Sequence, residues 1–176
     1  MTITAETTAV PTGTWQADTV HSSVTFEVPY AVATFSGSVS DFDATLADGR
    51  LTGAARIASI AVKDQNLEAH LLSPEFFDAE RTPTIGFSAT ALRRSGDDVA
   101  VDGELTIKGI TRPVTLGGTI TDPIQDAYGN DRIGLTLTTT VDRTAFGLNW
   151  NIPLPTGKQA LANDVTLTAE LYLVRA

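Results

Sequence analysis

The stretch Val99–Ile120, VAVDGELTIKGITRPVTLGGTI, decides the fold class. Val99, Val101, Leu105 and Ile107 occupy every second position, with Gly103 on the same side, and Ala100, Asp102, Glu104, Thr106 and Lys108 lie between them. A period of two sends one set of side chains to a buried face and the other to water, as in an antiparallel strand. Lys108-Gly109 then offers a chain reversal, and Val114, Leu116 and Ile120 resume the rhythm. Gly117-Gly118 sits inside this second run, where a bulge or close packing explains it better than a phosphate cradle. Strand follows strand here with no helix between.

Working outward, the same alternation runs through Val24, Phe26 and Val28, then Leu51, Ala55 and Ile57, then Ile85, Phe87, Ala89 and Ala91. It returns in Ile133, Leu135, Leu137 and Val141, and in Val165, Leu167, Ala169, Leu171 and Leu173. Asp48-Gly49 is the best two-residue hairpin signal, and Ser95-Gly96-Asp97-Asp98 and Tyr128-Gly129-Asn130-Asp131 mark further turns. Direct succession of strands disfavours βαβ units and predicts an up-and-down antiparallel meander of about eight strands. A sandwich or a closed barrel would hide its apolar face. Small residues at inward positions (Gly53, Ala55, Ala89, Ala91, Gly103, Gly118, Ala169) leave room along an axis and favour a hollow interior. Asn66–Phe77, NLEAHLLSPEFF, breaks the rule with helical spacing of Leu67, Leu71 and Leu72. Asn66 is the expected cap and Ser73-Pro74 the start of a second turn, so one or two short helices are expected across one end of the sheet.

The chain of 176 residues is long enough for one domain, read as a loose tail over 1–12 and a single domain over 13–176. Twelve basic against 21 acidic residues give a net charge of −9, which repels phosphate backbones and argues against nucleic-acid partners. Cysteine is absent, so disulfides, thiolate metal sites and cysteine nucleophiles are excluded. No apolar run reaches membrane-spanning length, and Met1–Val10 carries neither basic residues nor a leader-like apolar core. The expectation is an uncleaved cytoplasmic chain without stable membrane insertion.

Catalytic constellations are missing. His21 and His70 lack a third ligand at metal spacing, and each reads best as a hydrogen-bonded histidine at an element edge. Adjacent residues on a strand point oppositely, so His21 does not serve Ser22 as a base. Asp41, Asp43 and Asp48 read better as a solvated strand face than as paired carboxylates for glycoside hydrolysis, and Asp142 with Arg143 as either an ion pair at a strand end or a contact to a ligand's polar head. No cofactor is expected. The seven phenylalanines suit a core or the wall of an apolar cavity.

Several stretches together resemble the YceI-like family of lipocalin-like β-barrels associated with polyisoprenoid binding. They are Asp18-Thr19-Val20-His21-Ser22, Phe35-Ser36-Gly37-Ser38-Val39, His70–Asp78 (HLLSPEFFD), Gly103–Val114 (GELTIKGITRPV), Tyr128–Arg132 (YGNDR) and Asp142–Leu148 (DRTAFGL). The resemblance spans roughly Thr14 to Arg175. It departs at Leu67-Glu68-Ala69, where the family commonly has an Arg-Asp pair, at Thr82 before Pro83 instead of Tyr, and at Gly157-Lys158 in place of Gly-Gly. It implies an all-β, eight-stranded antiparallel lipocalin-like barrel that holds an extended apolar chain such as a polyprenyl, an isoprenoid quinone or a fatty amide. It also suggests a homodimer.

On this basis Phe26, Phe35, Phe42, Phe76, Phe77, Phe87, Leu105, Trp150 and Ile152 are the expected lining, with His21, His70 and Arg143 near a polar head. The expected function is non-enzymatic storage or transport of an isoprenoid-like lipid. A solid-cored stress-response or interaction domain is the alternative. A hydrolase or isomerase using His21 or His70 as base is a third.

Overall fold

Three long bent strands and five nearly continuous ones build the computed structural model, which describes residues 9–176. β1 (Thr14–Ala17) and β2 (Ser23–Tyr30) run end to end along one edge of the last strand, β12 (Asp164–Arg175). Trp15 faces Arg175 and Ala17 faces Leu173, and after an outward bend Ser23 faces Glu170 and Glu27 faces Thr166. At the bend the Tyr172 amide donates to Ser22 Oγ at 2.8 Å and the Asp18 amide donates to the Tyr172 carbonyl at 2.8 Å, so both backbone groups of Tyr172 stay paired where the chain departs. β3 (Ala33–Val39) and β4 (Phe42–Ala47) form the second bent strand, on β2 and β1 respectively. β5 (Arg50–Arg56) pairs with β4 and continues through a 3-10 turn at Ile57–Ser59 into β6 (Ile60–Ala61), which pairs with β3.

β7 (Thr84–Ser95), β8 (Asp98–Ile107) and β9 (Ile110–Ile120) follow as hairpins, with β5 pairing to β7. A two-residue β10 (Ile124–Gln125) precedes β11 (Asp131–Asp142). β11 pairs with β9 on one edge and with β12 on the other, and β12 returns to β1 and β2, so the sheet closes as an eight-stranded antiparallel barrel. The two-residue turns Asp48-Gly49 (φ 50° and 79°) and Lys108-Gly109 (φ 54° and 76°) have positive φ at both central residues, the geometry that matches strand twist in a tight hairpin.

The β1 end of the barrel is packed solid. Trp15, Leu46, Val101, Ile120, Ile133, Leu135 and Leu173 are fully buried there. The Arg175 guanidinium lies 4.4 Å from the centre of the Trp15 ring, and Trp15 Nε1 donates to the Thr12 carbonyl. Arg94, also buried, donates to the carbonyls of Gly96 and Ala9 and to Asp122. Residues 1–8 of the expected tail lie outside the described residues, and the carbonyls of Ala9 and Thr12 are held by these contacts.

Two local expectations need correction. The alternation through β7 breaks after Ala89, where a bulge at Thr90 shifts the register. Ala91 is therefore exposed, and Leu92 and Arg94 take the inner positions. The helical stretch forms one helix, α1 (Gln65–Leu72), capped by Asp64 rather than Asn66, because the Asp64 carboxylate accepts from the amides of Asn66 and Leu67. Residues 73–77 turn without forming a second helix, and the Ser73 hydroxyl donates to the His70 carbonyl. Among the described residues no helix is long and apolar enough to cross a membrane.

Candidate ligand cavity

Toward the opposite end, the inner faces of the same strands do not meet. They enclose a cavity of about 240 Å³. β2 contributes Val24, Phe26 and Val28, and β12 contributes Val165, Leu167 and Ala169 from the inner positions of the facing strand. Two glycines seat aromatic rings in the wall. A Cβ at Gly37 would lie 2.6 Å from the Phe26 ring, and one at Gly103 would lie 2.6 Å from the Phe87 ring, so each ring rests where only a hydrogen leaves space. Phe26 meets Phe35 edge-on at 5.8 Å between centroids. Phe42 and, from the turn after α1, Phe76 and Phe77 complete the aromatic part of the wall, with the aliphatic Leu105 beside them.

Arg143 also borders the cavity, and its side chain shows why a buried cation is stable there. Nε donates to the Ala162 carbonyl at 2.8 Å, Nη1 to Leu148 at 2.6 Å and Trp150 at 2.8 Å, and Nη2 to Leu161 at 3.3 Å. The guanidinium staples the 148–162 loop over the end of the barrel. Burial pushes its pKa below the usual arginine range, and the neighbouring Asp142 opposes that shift. Asp142 itself caps the 3-10 turn Arg143–Phe146, accepting from the Thr144 amide at 2.9 Å. Of the two readings open at Asp142 and Arg143, neither a mutual ion pair nor a free head-group contact describes the donors. They are engaged by backbone carbonyls.

The remaining expected residues lie outside the lining. His70 pairs with Glu75 at 2.7 Å and stands edge-on to Phe76 and Trp150, at 5.3 and 4.7 Å between ring centres. His70 and Trp150 thus back Phe76 from behind the wall. Ile152 is a surface residue, 44% exposed. His21 is on the outer wall over Tyr172, where Asp18 binds it at 3.0 Å and also accepts from Arg132 at 2.9 Å. Arg132 reaches Asp126 at 2.7 Å as well. The bonds from His21 and then Arg132 hold the Asp18 carboxyl down to about 2.

Asp41 and Asp43 face Arg56 on the outer surface. Among the described residues no three metal-ligating side chains come together. Lining residues not singled out in the sequence include Leu148 and Leu161, which sit in an irregular loop, and Thr139. Thr139 occupies the inner register between Leu137 and Val141, facing Leu167, so its position in the alternation marked it.

The sequence matches the model of the YceI-like domain over residues 15–173. It is 30% identical over 155 residues to a UPF0312 protein of Pseudomonas syringae pv. tomato, covering 83% of this chain and 79% of that one. It is 27% identical over 122 residues to Protein YceI of Escherichia coli, covering 65% and 64%. The fold resembles BcnA of Burkholderia cenocepacia, with a TM-score of 0.71 at 19% identity over 91% of this chain and 99% of that one. It also resembles a polyisoprenoid binding domain from Saccharophagus degradans, with a TM-score of 0.70 at 10% identity over 92% and 98%. With its domain match running from β1 nearly to the end of β12, on a barrel of the same architecture, the chain belongs to the YceI-like family.

Proposed function

We propose that this protein binds one extended apolar chain of the isoprenoid type inside the barrel and stores or carries it without chemical change. The observation that carries the reading is the cavity wall. It is built of aromatic and aliphatic side chains, closed below by packed core, and its one cation has its donors turned to the loop. Each Å² of apolar ligand surface removed from water contributes about 25 cal/mol before ordering costs. A volume of about 240 Å³ lies just below the range of roughly 300–1,000 Å³ for small-molecule pockets. Family membership and the polyisoprenoid binding domain among the structural relatives support the isoprenoid class.

Phe26, Phe35, Phe42, Phe76, Phe77, Phe87 and Leu105 are the proposed contact residues. Homodimerisation and a cytoplasmic site of action complete the proposal. Native mass spectrometry of detergent-free protein tests the binding and the oligomer together. A stoichiometric apolar adduct is expected, and organic extraction would name its class. A clean apo mass, unchanged after incubation with prenyl quinones and fatty amides, would favour the solid-cored alternative.

A further inference from the structure

At the end of the barrel that holds the cavity, two segments meet with an unusual composition. One is the turn between β2 and β3, and the other is the loop stapled by Arg143. The Ala31 amide donates to the Ala160 carbonyl at 2.8 Å, the Ala162 amide to Pro29 at 2.9 Å, and the Ala160 amide to Ile152 at 2.9 Å. These bonds hold Val32, Tyr30 and Ile152 at one rim, fully exposed, 40% exposed and 44% exposed respectively. Their neighbours Phe35 and Leu161 point the other way and line the cavity.

The charge is as uneven as the hydrophobicity. Residues 29–40 contain no charged side chain, and residues 144–163 contain Lys158 alone. Yet the chain carries 21 acidic residues and a net charge of −9. The two segments themselves carry no acid; Asp142 bonds Thr144 where the loop begins, and Glu75 pairs with His70, whose ring stands 4.7 Å from Trp150.

We propose that the rim docks on the surface of a phospholipid bilayer, setting its apolar tips among the headgroups so that cargo passes between lipid phase and cavity without crossing water. The inference rests on the apolar-ligand reading above, because the rim adjoins that cavity and a water-insoluble cargo must be drawn from a lipid phase. Exposed apolar tips enter the interfacial region readily, and a lone lysine with a long stem reaches anionic headgroups beside them. The two segments that carry the apolar tips hold no acid of their own, which lowers their repulsion from an anionic surface.

The test is cosedimentation of the full chain with vesicles of equal parts phosphatidylcholine and phosphatidylglycerol. It is read together with quenching of Trp150 by the same vesicles carrying brominated acyl chains. Trp150 lies two residues from Ile152, and the other tryptophan, Trp15, is fully buried at the opposite end. Wild type is expected to cosediment with Trp150 quenched. Val32→Glu should lower partitioning by about tenfold or more, as loss of one valine's burial implies. Lys158→Glu should weaken binding to these vesicles and leave binding to pure phosphatidylcholine unchanged. Both variants should melt like wild type and take up a prenyl quinone equally.

Failure of wild type to cosediment, or Val32→Glu partitioning like wild type, would overturn the proposal. So would a change from dimer to monomer in Val32→Glu without effect on vesicles, which would assign the rim to a second copy of the chain. Prenyl uptake without vesicle binding removes the docking inference alone. Vesicle binding without prenyl uptake removes the cargo reading.

Discussion

Single atoms decide several features of this barrel. At Gly118 on β9 a Cβ would lie 1.7 Å from the Thr136 carbonyl oxygen of the neighbouring β11, and backbone cannot yield as a flexible side chain can. Gly118→Ala should therefore exceed the ~1–3 kcal/mol usual for overpacking, lowering the thermal midpoint steeply or preventing folding. A variant melting like wild type would show that β9 and β11 can part at no cost.

At Asp18 the folded carboxyl titrates at about 2 against 3.8 when free, so its stabilisation is complete above the unfolded value and disappears as pH falls toward the folded one. The side chain is partly exposed, and screening reduces the contribution to about 1 kcal/mol. Urea unfolding of wild type and Asp18→Asn should thus differ by that amount at pH 6. The difference should shrink between pH 4 and about 2. A gap independent of pH would mean that Asp18 acts by shape alone.

Among the elements, the 148–162 loop depends on one side chain. Arg143→Leu keeps the volume roughly apolar but leaves the carbonyls of Leu148, Trp150, Leu161 and Ala162 without their donor. Bonds from a charged donor are worth about 1.5–3 kcal/mol each, and partial opening to water recovers some of that, so a loss of about 3 kcal/mol is expected. Hydrogen exchange should quicken at the amides of Leu148, Ala160 and Leu161, while β8 and β9 keep their protection. Unchanged exchange in the loop would assign its order to packing. The helix offers a smaller test. Asp64→Ala removes the acceptor for two amides at the start of α1 and should cost about 1 kcal/mol, read by urea unfolding.

For the whole molecule, the question is whether the interior is space or merely loose packing. Ala169 lines the cavity from β12 opposite Val24 of β2. Ala169→Phe should fill part of the 240 Å³, leaving the thermal midpoint of the free protein within a few degrees of wild type while abolishing the rise produced by a prenyl quinone. A ligand at a hundredfold excess over its Kd stabilises by about 2.7 kcal/mol, an effect readily seen in a melting curve. A variant that unfolds at room temperature would instead place Ala169 in packed core, since overpacking is tolerated only where room exists.

The sequence alone determined the strand faces, the tight turns and the meander, and through the family motifs the closed barrel. Alternation and turn chemistry are properties of neighbouring residues, as Val99–Ile107 and Asp48-Gly49 illustrate. Most lining phenylalanines were legible for the same reason: Phe26, Phe35, Phe42 and Phe87 lie on inner registers and Phe76 and Phe77 in the motif after α1, whereas Phe146, which also lines the cavity, sits in the 3-10 turn and was not singled out. Tertiary structure decided the rest. The bulge at Thr90 exposes Ala91, Asp18 meets Arg132 across 114 residues of chain, Arg143 binds a loop with no periodicity, and Trp150 and His70 stand behind the wall rather than in it. These outcomes depend on how distant strands close around one axis, and local sterics carry no information about which side chains will meet across it.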